Sequence, residues 1–130
     1  MLVSRTFHDV EISLRRNCIF FAHYKVNMSM EIILEGIFAL NKRYYFYPKW
    51  LWKDFKKFKF KPKHFYKRLS EFNKSNLTRK LEILRDLLFE TKDLIEKNSR
   101  FKVYIRIPEY DDLGWYNKQI EKVRRLEREF

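Results

Sequence analysis

Cations and aromatic rings alternate through one stretch of this 130-residue chain. Between Lys42 and Arg68 the sequence carries 11 Lys or Arg and a single acid, Asp54. That excess nearly accounts for the net charge of +12 on the whole chain. In a helix over 49–58, Lys49, Lys53, Lys56 and Lys57 are reachable from one surface, with Trp50, Trp52, Phe55 and Phe58 interleaved. Cations in such an array contact phosphates, and Trp50 and Trp52 would offer ring faces on which bases stack. Lys42 and Arg43, just upstream, extend the anion-binding set. A second reading of the same rings stays open: helix-spaced aromatics commonly pack inward and leave the lysines to solvate the outside. Either way, clustered like charges repel one another, so the segment implies an anionic ligand, an acidic partner or an acidic neighbouring domain.

The other reactive residue types form no comparable set. His8, His23 and His64 lack the close spacing of metal ligands. Glu31 and Glu35 share a helix face with no histidine beside them, which does not fit a dimetal carboxylate site. Gly36 and Gly114 are the only glycines, so no Gly-rich phosphate loop can form. Asp111-Asp112 reads as a helix cap in preference to a cation site. Cys18 is the sole cysteine, which excludes an intrachain disulfide and a thiolate zinc site. It reads as a small buried hydrophobe, and its solitude fits a reducing, cytoplasmic setting. No cofactor is expected.

The elements that must position the basic segment are helical. Two glycines and three prolines are too few for a sheet with many tight turns. A chain of this length favours one core without disulfide staples. Ile19, Ala22, Val26, Met30, Ile33, Ile37 and Leu40 recur at helical spacing within a block from about Phe7 to Leu40. Phe20, Tyr24, Leu34 and Phe38 form an adjoining apolar face, which predicts a central position for this helix. The pattern before Asn17 is weaker and reads as a separate turn or frayed end. Asn41-Lys42-Arg43 closes the helix. Pro48 and Pro62 each suit the first turn of a short helix, the second running through about Phe72. Asn73 to Asn76 break the chain with capping residues. From Leu77 to about Lys97, Leu77, Leu81, Leu84, Leu88, Thr91 and Ile95 make a single stripe.

After Asn98 the period changes. Phe101, Val103, Ile105 and Ile107 alternate with polar or charged residues, which predicts an extended strip ended by Pro108. A last helix follows, with Ile120, Val123 and Leu126 on its buried side. The expected architecture is all-α: an antiparallel four-helix-like bundle over 1–98 with short proline-started helices. Residues 99–130 add the strip and C-terminal helix, packed on the bundle or on a partner. The N-terminus lacks the apolar core of a signal peptide. No uncharged apolar run approaches the roughly 18–20 residues that span a bilayer, so no membrane association is expected.

Two resemblances accompany these readings. Glu35-Gly-Ile-Phe-Ala-Leu-Asn-Lys-Arg-Tyr, Pro48-Lys-Trp-Leu, Lys61-Pro-Lys-His-Phe-Tyr-Lys-Arg-Leu and the long helix from Leu77 follow one another in this order. The order resembles the helical, HEPN-like domain that follows the catalytic domain of DNA-polymerase-β-like nucleotidyltransferases. That likeness implies a bundle that closes one side of an active site and holds the acceptor substrate. The Gly-Ser pair and paired aspartates of the catalytic domain are missing from this sequence. The resemblance therefore implies a non-catalytic helical subunit, partnered by a separately encoded catalytic chain and binding a nucleotide or nucleic acid. The Arg16-x6-His23 spacing, with Asn17 after the arginine, is similar to the motif of HEPN-type ribonucleases. In that family a homodimer joins two such pairs at an RNA phosphate. Carried over, His23 would serve as general acid or base and Arg16 would stabilise phosphorane charge. A basic nucleic-acid-binding module without an enzyme partner is the remaining alternative.

Overall fold

The computed structural model describes residues 3–43, 51–99 and 112–130. The expected strip from Phe101 to Ile107 lies outside the described residues, as do Lys49, Trp50 and the side chain of Trp52. Among the described residues there are six helices and no strand: α1 (Val3–Arg15), α2 (Ile19–Leu40), α3 (Leu51–Lys57), α4 (Phe65–Lys74), α5 (Leu77–Asn98) and α6 (Leu113–Glu127).

The chain before Asn17 is a full helix. Val3, Phe7, Val10 and Leu14 recur at three- and four-residue steps and are all buried. Their stripe looks weak in sequence because Ser4, Thr6 and Ser13 share the buried face. Ser13 satisfies its hydroxyl on the carbonyl of Asp9, and Thr6 pairs with Ser29 across to α2. The break from α1 to α2 is a Schellman turn. Asn17 takes a left-handed φ of 59°, its N–H donates to the Leu14 carbonyl, and that of Cys18 donates to Ser13. The same device ends α2: Lys42 at φ 56° donates to Ala39, and Arg43 donates to Phe38. A lysine there carries the left-handed penalty that glycine escapes, on the order of 1 kcal/mol.

Four helices form a ring in which α1 touches α2, α2 touches α5, α5 touches α6 and α6 touches α1. Side-chain pairings fix their directions. Asp9 meets Lys25, so α1 and α2 are antiparallel. Glu82 meets Arg124 and Arg85 meets Asn117, so α5 and α6 are antiparallel. Lys80 meets His23, and Gly36 lies beside Ile95, so α2 and α5 run parallel. The bundle is thus two antiparallel hairpins set side by side, and residues 41–76 link α2 to α5. Those residues contain α3, α4 and the basic segment.

The core is continuous from Val3 to Val123 and includes the fully buried Phe7, Tyr116, Leu81, Leu84, Leu87 and Ile37. The second apolar face predicted for α2 divides in two. Leu34 and Phe38 are buried, but Phe20 is 83% exposed and Tyr24 is 50% exposed. Phe55 and Phe58 fold over Phe38 in edge-on ring contacts. Nothing equivalent covers Phe20 among the described residues. The helix expected to start at Pro62 shifts, while Pro48 lies outside the described residues. Pro62 is buried, but α4 begins three residues later, after His64 in a left-handed conformation. Asp112 caps α6 as expected, its carboxylate accepting from the Gly114 N–H at 2.9 Å. No helix among the described residues is long and apolar enough to cross a membrane.

Candidate anion-binding face

The described residues of the basic segment sit where α2 and α5 both end. Each is a 22-residue helix, and their parallel course points two C-terminal dipole ends the same way. Negative partial charge at those ends favours the cations gathered there.

Asn41 fastens the segment to the bundle. Its side-chain amide donates to the Ile37 carbonyl at 2.8 Å and to the Phe60 carbonyl at 2.7 Å, while its carbonyl accepts from the Phe60 N–H at 3.0 Å. One side chain therefore clamps both backbone groups of Phe60. Beneath the clamp, Phe38, Phe55, Phe58 and Phe65 form an aromatic cluster with centroids 4.6–5.8 Å apart. Phe55, Phe58 and Phe65 are each at most 7% exposed. These rings thus take the inward alternative, and the segment is part of the fold.

The cations take the outward one. Lys42, Arg43, Lys53, Lys56 and Lys57 are all exposed. Lys61 is tethered: its ammonium donates to the Phe55 carbonyl at 2.5 Å, near the end of α3. That uses one of three donors and holds the charge in place. Arg68 is neutralised, reaching Glu90 at 2.7 Å and the Lys63 carbonyl at 3.3 Å. Lys56, Lys61 and Lys67 rim a cavity of about 250 Å³ between α3 and α4, and His64 and Tyr66 complete the rim. Buried Phe55, Pro62 and Phe65 form its floor. Spacing marks Lys53, Lys56 and Lys57 as binding residues. It treats Lys61, Tyr66 and Lys67 only as a helix start, because the turn that folds them against α3 depends on Asn41 and on His64's left-handed φ.

Arg16 and His23 lie apart in role. Arg16 is exposed in the turn after α1, while His23 is half-buried near the start of α2. No hydrogen bond joins them among the described residues. His23 instead places Nδ1 3.1 Å from the Lys80 ammonium, which also reaches Asn27 at 3.3 Å and lies 5.2 Å over the Phe72 ring. Lys80 has only 6% of its surface exposed. Burial is the main cause lowering the pKa of each; the Lys80 charge lowers that of His23 further, and Glu127 partly opposes it. His23 is therefore neutral at pH 7 and accepts from Lys80.

Among the described residues no cluster of three or more His, Cys, Asp or Glu could hold a metal ion. Cys18, expected to be buried, is exposed. No family model, no curated protein and no solved structure matches this chain.

Proposed function

We propose that this chain is a non-catalytic helical module that binds a phosphate-bearing ligand on the face built from Lys42, Arg43, Lys53, Lys56 and Lys57. We further propose that it serves as the substrate-holding partner of a separately encoded nucleotidyltransferase catalytic subunit. The observation that carries the reading is the division within one segment. Phe55, Phe58 and Phe65 are buried in a cluster that anchors it, and Lys53, Lys56 and Lys57 are exposed on that anchored base. Cations held on a rigid base lose less freedom on meeting an anion than cations on a floating tail.

The test is calorimetric titration of the full chain with magnesium-free tripolyphosphate, at two salt concentrations. Binding that weakens as salt rises is expected, with a loss of more than about tenfold in the K53E/K56E/K57E variant. An affinity unchanged by that triple reversal overturns the reading. In the nucleotidyltransferase setting, the chain alone leaves ATP intact and lowers the acceptor KM of its catalytic partner.

A broader nucleic-acid-binding role has one observation in its favour. Exposed cations spread over the end of α2, over α3 and over α4, a wider distribution than a single triphosphate needs. Tighter binding with increasing oligonucleotide length, at fixed salt, separates that role from a single-nucleotide one.

A further inference from the structure

The chemistry of the cavity between α3 and α4 narrows the ligand class. Lys56, Lys61 and Lys67 supply three cations at its rim, and Tyr66 stands among them with 47% of its surface exposed. The large apolar side chains that are exposed elsewhere lie outside the basic segment: Ile19, Phe20, Phe21, Tyr24, Leu113 and Phe130. Among the described residues of the segment, the phenylalanines Phe55, Phe58 and Phe65 are buried, and Tyr66 is the exposed large ring. An inorganic anion gains nothing from an aromatic face. An unpaired base does, because stacking on a ring is sequence-tolerant and sits naturally beside a phosphate-binding cation. The cavity, about 250 Å³, is of the scale of one nucleotide and falls short of a duplex groove.

Resting on the anion-binding reading above, we propose that this cavity is a single-nucleotide pocket. Tyr66 stacks on the base, and Lys56, Lys61 and Lys67 hold the phosphate. The tether from Lys61 to the Phe55 carbonyl sets one cation before the ligand arrives. The nucleotide is either free or one residue of a single strand; the shared chemistry is an exposed base face one sugar away from a phosphate.

The experiment compares tripolyphosphate, ATP and an oligoadenylate 8-mer as ligands for the full chain, wild type and with Tyr66→Ala or Tyr66→Phe. Tripolyphosphate is at least as highly charged as ATP, so a preference for ATP must come from the nucleoside. The expected result is tighter binding of ATP than of tripolyphosphate by wild type. Y66A should remove at least about fivefold of affinity for ATP and the oligomer, leave tripolyphosphate unchanged, and be rescued by Y66F. Stronger binding of ATP identifies a free nucleotide, and stronger binding of the oligomer identifies a strand. Equal affinity of wild type for ATP and tripolyphosphate overturns the pocket, as does equal loss of all ligands in Y66A. Failure of tripolyphosphate itself to bind is a separate result and overturns the anion-binding face.

Discussion

The two ends of the bundle handle charge in opposite ways. Where α5 begins and α6 ends, carboxylates and cations join neighbouring helices in a network. The Glu127 carboxylate accepts from the N–H groups of Leu77 and Thr78 at 2.8 and 3.0 Å and from the Thr78 hydroxyl at 2.6 Å. Arg79 joins Glu71 and Glu82, and Arg124 joins Glu82 and Glu121. Glu71, through its hydrogen bond to Arg79, is the chief cause raising that arginine's pKa. At the other end, the segment's sequence carries 11 basic residues and one acid, and Glu90 supplies a carboxylate to Arg68. The paired end is organised by polar contacts across α5 and α6. The basic end is organised by phenylalanine packing, with its charge turned outward. Cross-links are made at the basic end too, by Arg68 to Glu90 and by Lys61 to the Phe55 carbonyl.

Substitutions at the two ends should therefore fail differently. The largest effect belongs to the packing that carries the basic end. Phe55 is 3% exposed and contacts Phe38, Phe58 and Phe65. Phe55→Ala should destabilise the chain by about 3–5 kcal/mol, read as the shift of a urea unfolding midpoint. A cost under about 1 kcal/mol would show that the aromatic cluster is not what holds the segment.

The next effect comes from the paired end. Glu127→Ala removes three acceptor contacts from the first turn of α5, so a loss of about 2–3 kcal/mol is expected. Tripolyphosphate affinity should stay within twofold of wild type by the same titration, roughly the scatter between independent sites. A large drop in affinity would show that the two ends are coupled.

Asn41→Ala cuts between fold and function. It leaves the Phe60 N–H and carbonyl without their side-chain partner while sparing the ring cluster. A global cost of about 1–2 kcal/mol is expected. The sharper readout is limited trypsin digestion, in which cleavage after Lys57 and Lys59 should accelerate more than the global loss explains. Equal protection in variant and wild type would remove the clamp from the account.

The two ends also differ in how far sequence exposes them. Leu77, Leu81 and Leu84 on α5 announce their helix because every apolar residue on the stripe is large and evenly spaced. The first helix hides its stripe behind Ser4, Thr6 and Ser13, whose burial rests on tertiary partners that spacing does not encode. The basic segment is visible as charge. That Phe65 turns inward while Tyr66 turns outward depends on the left-handed turn at His64, a conformation rare for non-glycine residues. Phe20 gives the converse error: its spacing fits an apolar face, but exposure is decided by whether another element arrives to cover it.

The smallest effect tests the one place where the paired end leaves two basic groups in contact. His23 faces Lys80 from α5, Asn27 on its own helix and the field of Glu127 from α6. Its pKa is lower in the folded chain than the unfolded value of about 6.5. The unfolded chain then binds the extra proton more readily. The contribution is fully present above about pH 6.5 and is lost as pH falls through the lowered folded value. Protonation would also remove the acceptor for Lys80 and set two cations side by side. Urea midpoints measured from pH 7.5 down to pH 5 should therefore fall, and His23→Gln should flatten that slope because glutamine keeps an acceptor that does not titrate. Lys80 has the same sign in the alkaline range, since its lowered pKa means stability rises with pH as the buried ammonium loses its proton. A slope between pH 7.5 and 5 that is identical in wild type and His23→Gln would show that the acid sensitivity lies elsewhere, in carboxylates such as Glu127 whose contacts also depend on charge.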